Sequence, residues 1–369
     1  RYSLGDGFKT FRSRVNVDAD LTTFLKVGVN AQFSNRDEGF QRITLDQAVA
    51  QSPFTQIYDN DGTTMLMYPN DDALVTNPFM YYTYRDLYNK TQMLYATLFG
   101  EVKLPYGFSV RVNYLNNYSW NKNYLFDPIN TPNGMNNNGY GERSSSSGYE
   151  WMIDNILKWN KSYGNVHNFD FTFLFNVEQY QTWLDYLQNA QFEPNDLLSY
   201  HALQSGLNPS LNNTDNYSTG NALMARLNYS LLDKYLLTLT WRRDGYSAFG
   251  QANPYAHFPS AALAWRISEE RFFNVNWFSN LKIRASIGVN GNRANTPYDA
   301  LARLTTNKYV YGTELATGVY AANMANSGLK WERTQAFNVG LDFGILNDRI
   351  NGSIDYYDMV TTDLLLTRT

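Results

Sequence analysis

Three histidines, His167, His201 and His257, are the residue types best suited to proton transfer or metal binding, and their spacing serves neither. No pair lies at ligand spacing, and no serine or acid stands with them in a nucleophile–base pattern. The chain has no cysteine, so thiolate chemistry, thiolate metal sites and disulfides are excluded. Asp59-Asn60-Asp61-Gly62 opens like a calcium loop. It lacks a third acidic position before the glycine, and Tyr68 stands where the closing glutamate belongs. A turn is the better reading, with calcium at Asp59 and Asp61 the weaker one. Gly139-Tyr140-Gly141-Glu142 is glycine-rich, but it opens no βαβ unit that would cradle a phosphate. No catalytic residue, metal or cofactor is expected.

Binding is better supplied. Trp120, Tyr124, Phe126, Tyr140, Trp183, Tyr186 and Tyr246 lie in or beside polar segments rich in Asn and Asp. Aromatic faces stack on sugar rings or peptide side chains, and amides and carboxylates hold hydroxyls. These seven are the candidate substrate contacts. The competing use of the same side chains is contact between loops and a covering partner.

The elements that must position them alternate with period two. The final hairpin, within Leu329–Leu366, is the clearest. Phe337, Val339, Leu341 and Phe343 alternate with Asn338, Gly340 and Asp342. After the turn Ile345-Leu346-Asn347-Asp348, Ile350, Ile354 and Tyr356 alternate with Asn351, Ser353 and Asp355. Each arm therefore has one apolar and one polar face. The same test predicts Phe11–Ala19 with Leu25–Ser34, and Gln92–Lys103 with Phe108–Tyr118. It also predicts Trp151–Asn160 with Val166–Tyr180, Ala222–Ser230 with Tyr235–Asp244, and Phe258–Arg266 with Leu281–Asn290. The total is about twelve strands.

Short turns alternate with long polar links, expected near 35–90, 119–150, 181–220, 246–257 and 291–330. This asymmetry fits a barrel of the outer membrane, with short turns inside and long loops outside the cell. Charges agree: Arg14, Lys26, Arg111, Arg226, Arg242, Arg266, Lys282, Arg284 and Asp342 all fall on the polar face. A basic side chain facing lipid at mid-depth would cost roughly 2–4 kcal/mol. Asn113, Asn228, Arg242, Arg284, Asn338, Asp342 and Asp355 are therefore expected to face the lumen. Trp159, Tyr229, Tyr235, Trp241 and Trp265 sit in the apolar phase near strand ends, where interfacial aromatic girdles belong. Within the link 181–220, Glu193–Ser205 reads as helical, able to cap the barrel mouth or touch a partner.

Composition bounds the rest. Among 369 residues, 16% are aromatic and only 17% charged. Mean hydropathy is still −0.46, because amides and hydroxyls supply the polarity. The net charge of −4 and the lack of a basic block give nucleic acid no surface. No apolar run is long enough for a transmembrane helix. The start, RYSLGDGFKT, is not a signal peptide, and the chain is expected to begin inside a longer protein. The fold class is thus all-β, an antiparallel transmembrane β-barrel segment.

Several segments resemble the SusC/RagA family of TonB-dependent outer-membrane transporters of Bacteroidetes. They are YSLLDKYLLTLTWRRDGYSAFG (229–250), HFPSAALAWRISEERFF (257–273), LKIRASIGVNGN (281–292), SIDYYDMVTTDLLL and the opening hairpin. IYDNDGT at 57–63 and the strand start His167-Asn168 are similar too. The resemblance implies a barrel of roughly 22 strands around a plug. This chain holds no plug and would form only part of the wall. It further implies active import of glycans or peptides, a SusD-like surface lipoprotein as lid, TonB acting through the plug, and a setting in membrane lipid and lipopolysaccharide. A structural or docking barrel in a surface assembly is the second function class.

Overall fold

The computed structural model describes residues 7–39, 43, 49–69, 75–164, 166–192, 197–249, 252–293, 297–298 and 300–366. Twelve strands form one antiparallel sheet in chain order. They are β1 (Lys9–Asp20), β2 (Leu25–Asp37), β3 (Asp86–Lys103), β4 (Phe108–Asp127), β5 (Tyr140–Tyr163) and β6 (His167–Ala190). The row continues with β7 (Ser210–Leu231), β8 (Tyr235–Tyr246), β9 (Tyr255–Arg266), β10 (Phe278–Asn292), β13 (Glu332–Ile345) and β14 (Ile350–Thr362). A separate hairpin, β11 (Leu304–Tyr311) and β12 (Glu314–Ala321), rises from the link between β10 and β13. Among the described residues, short helices α1 (Pro78–Tyr84) and α2 (Pro132–Asn137) lie in other links.

Register is continuous from β1 to β9, so each strand keeps its two faces from end to end. On one face Phe108, Trp159, Phe171 and Leu227 stand in a row across β4–β7. On the other, Arg111 meets Glu101, Asn176 meets Asp154, and Asn228 meets Asp170. The polar face is satisfied by pairs across neighbouring strands, as a wet lumen requires, while the apolar face offers no charge to lipid at mid-depth. The expected pairs, turns and charge placement all stand in this sheet.

The tight turns are built by backbone that few residues adopt. Leu346, Asn347 and Asp348 have φ of 56°, 56° and 60°, and Leu232 and Asp233 both have 55°. In the β3–β4 turn Gly107 has φ 86°, and a Cβ there would lie 2.1 Å from the Asn160 carbonyl oxygen. Beside these turns runs an aromatic row. Phe108 stacks near Trp159, Trp159 near Phe169, Phe169 near Tyr229, and Tyr235 near Trp265. A second band at the far edge of the apolar zone holds Tyr118, Trp120 and Tyr149, with centroids 4.5–5.6 Å from Tyr118.

The largest departure from the sequence reading lies beyond that second band. The links expected at 119–150 and 181–220 are mostly strand: β4 runs on to Asp127, β5 begins at Tyr140, β6 ends at Ala190 and β7 begins at Ser210. β5 has 24 residues, whereas a tilted crossing needs ~9–11. More than half of it therefore stands outside the membrane. There both faces meet water, so nothing enforces apolar alternation, and Ser144–Ser147 pair as strand despite a loop-like composition. The sheet is held instead by its backbone ladder and by packing at its top.

The helical stretch expected at Glu193–Ser205 is a 3-10 turn over Ser199–Ser205, and 193–196 lie outside the described residues. It does not cap the mouth. Tyr200 packs 5.8 Å from Tyr124, Leu203 reaches Gly141, and Ser199 donates to Asp86 at 2.6 Å. Tyr124, Gly141 and Asp86 share the phase of Phe108, so this strap lies on the outer face of the wall. It covers a cluster of Tyr124, Phe126, Phe192 and Tyr200.

A candidate lumenal site on the wall

The strand phase divides the seven aromatic candidates. Trp120, Tyr124, Phe126 and Trp183 point with the lipid-side set, on strands rather than loops. They cannot meet a ligand in the lumen. Tyr124 and Phe126 serve the strap, and Arg143 lies 4.2 Å over the Tyr124 ring. Tyr140, Tyr186 and Tyr246 face inward. Tyr140 and Tyr186 both donate to Glu142 Oε2, at 3.0 and 2.7 Å, and reach Gln188 at 3.2 Å. Burial pushes both phenols above their ordinary range, so they remain protonated donors.

The seven expected lumen residues all lie in the polar phase. Asn113 accepts from Arg111 at 2.8 Å, and Asn228 accepts from Thr238 at 2.9 Å. Arg284 is a hub: it reaches Asp342 at 3.1 Å, Asn338 at 3.1 Å and Asp355 at 2.8 Å. Lys282 joins Asp342 at 2.8 Å. These groups satisfy one another and read as wall rather than as catalysts.

The histidines pack on rings: His167 on Tyr229, with Nδ1 2.8 Å from its hydroxyl, His201 on Tyr200, and His257 on Trp241. At the calcium-like tip, Asp61 accepts from the N–H groups of Thr63 and Thr64, both at 2.8 Å. Gly62 has φ 70° and Tyr58 bridges to Met65. A bond from the Thr64 hydroxyl, joined by these two, holds the Asp61 carboxyl well below its usual range, and the carboxylate closes a turn. Gly139 ends α2, donating to the Gly134 carbonyl at 2.7 Å.

A recess of about 520 Å³ lies on the lumenal side, beside the middle of β6 and the outer ends of β8 and β10. Asn176 and Glu178 enter it from β6, Arg242 and Asp244 from β8, and Asn290 and Asn292 from β10. Arg242 grips Asp244 with two bonds of 2.7 Å. β10 pairs with β9 only as far as Gly288, while its pairing with β13 continues to Asn292. Arg293, just past its end, bonds Glu178 at 2.6 Å and lies 4.6 Å over the Tyr246 ring. Gly291 allows this approach, since a Cβ there would sit 2.1 Å from the Phe258 ring. Trp331, only 7% exposed, lines the recess between Phe249 and Phe258, at 4.9 and 5.7 Å. Its indole Nε1–H has no acceptor among the described residues. Sequence reading found Tyr246 and Arg242 here but missed Glu178, Asp244, Arg293 and Trp331, which come together only through the fold.

The sequence profile of the family described as "TonB dependent receptor-like, beta-barrel" matches residues 7–369. The chain is 30% identical to TonB-dependent receptor P3 of Formosa agariphila, over 99% of this chain and 37% of that protein. It is also 30% identical to TonB-dependent receptor SusC of Bacteroides thetaiotaomicron, over 97% of this chain and 38% of that protein. The RagAB peptide transporter structure superposes with a TM-score of 0.81 at 20% identity, over 97% of this chain and 41% of that one. The chain thus spans less than two fifths of the length of these two curated relatives. Its two-faced wall, its continuous register and this profile together establish that the chain belongs to the TonB-dependent receptor-like β-barrel family.

Proposed function

We propose that this chain is the wall of an outer-membrane importer that takes up nutrient oligomers, glycans first and peptides second, in a TonB-dependent manner. The observation that carries the reading is the sheet itself. Its polar face is lined with paired charges and amides, and its apolar face is bounded by two aromatic bands. Such a wall separates lipid from a wet passage and performs no covalent chemistry. The edges of β1 and β14 are unpaired among the described residues. Lipid does not tolerate open sheet edges, so other strands must meet them, in keeping with a larger barrel. In this reading a SusD-like lipoprotein closes over the outer ends, and TonB acts through a plug outside this chain.

A docking barrel is the second reading, and the strap favours it. Leu197 and Leu207 stand 90% and 76% exposed on either side of Ser199–Ser205, on the outer side of the wall. Deletion of the gene separates the two. Import predicts loss of growth on at least one defined glycan or peptide oligomer as sole nutrient. Unchanged uptake across the whole panel would sink it.

A further inference from the structure

The outer face of the wall carries cations just above its second aromatic band. Lys122 stands two residues beyond Trp120 on β4, one side-chain position up the same face. That step is about 7 Å along the strand. The hydrocarbon ends near the band, and the wet headgroup layer adds roughly 5–7 Å on each side. Lys122 therefore stands at headgroup level, on the side that faces lipid. Lys90 of β3 is directly opposite it. Arg143 of β5 stands one side-chain position higher, opposite Tyr124.

The second observation is the lack of counter-charge. Like charges directly opposite each other on a sheet are destabilising. Around Lys122 on this face stand Lys90, Arg143, Gln92, Ser145, Ser147 and rings, with no acid among them. Lys122 makes no ion pair among the described residues. Lys90 meets Asp37 at 3.6 Å, on the side away from Lys122. Asp86 accepts from Ser199, and Asp185 lies a strand farther on, beyond Ser145. Rings hold two of the cations in place. Lys90 lies 4.9 Å over Tyr88 and Arg143 4.2 Å over Tyr124, and the two rings stack at 5.3 Å. Burial raises the Tyr124 phenol, yet bonds with Ser145 and Arg143 and the charges of Arg143 and Lys122 bring it below its ordinary range. The local field is positive.

We propose that Lys90, Lys122 and Arg143 bind the phosphate monoester headgroup of an acylated glycolipid in the outer leaflet. A monoester carries about −1.5 to −2 charges and three acceptor oxygens, which answers three cations. A phosphodiester carries a single charge and matches the cluster less well. The acyl chains run down the apolar face past Trp120, Tyr118 and Tyr149, and Ser145 and Ser147 offer hydroxyls to the sugar. Soluble phosphate has no use for that apolar track, so lipid is the occupant. The site needs only a wall that meets lipid. It goes beyond the import reading, whose fate the gene deletion decides separately.

The test uses the full-length transporter in maltoside micelles. Native mass spectrometry counts bound lipid, and thermal melting follows stability. The probes are monophosphoryl lipid A, the same lipid with its phosphate removed, phosphatidylglycerol and inorganic phosphate. Monophosphoryl lipid A should bind and raise the melting temperature. Lys122→Gln should weaken that binding about fivefold, and Lys90→Gln with Lys122→Gln about twentyfold. Lys308→Gln, on the separate hairpin, should leave it unchanged. Without lipid, Lys122→Gln should melt at or above the parent, because the like charge opposite Lys90 is gone. With lipid A the order should reverse. The proposal falls if monophosphoryl lipid A does not bind, or if the phosphate-free lipid or phosphatidylglycerol binds as well. It falls if inorganic phosphate alone gives the same rise in melting, which would make this a free-anion site. It falls equally if the lysine variants bind lipid A like the parent, or if Lys308→Gln weakens binding as much as Lys122→Gln.

Discussion

The lower and upper halves of the same strands obey different rules. Between Phe108 and Tyr118, β4 alternates because lipid lies on one side and water on the other. Between Ser119 and Asp127 the strand continues with the same pairing partners, but no lipid hydrocarbon lies beside it, and only the local strap covers its outer face. Below, solvent selects residue types. Above, hydrogen-bond pairing and local packing set the structure, and residue type is free wherever packing does not fix it. A strand can thus be continuous in backbone and discontinuous in the forces that hold it.

The sharpest break of the upper half should come at Asp127. Its side chain is fully buried, takes two bonds from Arg85 at 2.6 and 2.8 Å, and a third from Asn133 at 2.9 Å. It ties the start of β3 to the link that carries α2. Asp127→Ala leaves Arg85 without its partner and should cost about 3–5 kcal/mol of local stability. Hydrogen exchange would then rise in β4 and β5 above Trp120 and stay unchanged beside Phe108.

Next is Val112→Arg, which puts a cation on the lipid face four residues above the Phe108 band. About 2–4 kcal/mol should be lost in denaturant titration of the protein folded into bilayers. Trp183→Arg places the same cation on the same face but above the membrane. It should shift that titration by no more than about 0.5 kcal/mol. Equal effects from the two would erase the distinction between halves.

The smallest effect belongs to the short-turn end. Glu270, beside the β9–β10 turn, accepts from Tyr235, from Trp265 at 3.1 Å and from Lys234 at 3.3 Å. The Tyr235 bond, followed by that from Trp265, lowers its carboxyl below the usual range. A lowered folded value means the stabilisation is present above the ordinary carboxylate value and is lost as pH falls through the folded one. Glu270→Gln should therefore melt earlier than the parent at pH 7. The two melting temperatures should converge on acidification past that folded value, and a gap that persists there would contradict the assignment.

What could be read in advance follows the same division. Phe337, Val339 and Leu341 announce their face and their partners, and all twelve strands of the sheet were legible from such runs. The polar upper extensions were not, because Ser144–Ser147 and Asn212–Asp215 carry the composition of loops. The hairpin of β11 and β12 escaped for a related reason: Thr305-Thr306-Asn307-Lys308 interrupts any alternation. The wall residues of the lumen were readable from phase alone. The recess was not, since Glu178 and Arg293 are 115 positions apart and neither sits in a motif. Trp331 carried one weak sign, a lone tryptophan just before a strand.

The Arg293–Glu178 pair also has a mechanical meaning. Four strand spacings separate β6 from β10, roughly 19 Å along the wall at ~4.8 Å each. An ion pair of 2.6 Å joins their neighbourhoods directly, as a chord joins two points of an arc. It closes only where the wall is bent, and once closed it resists flattening. Curvature at this height of the passage is therefore pinned by two side chains as well as by strand twist, and a pull on the end of β10 is felt sideways at β6.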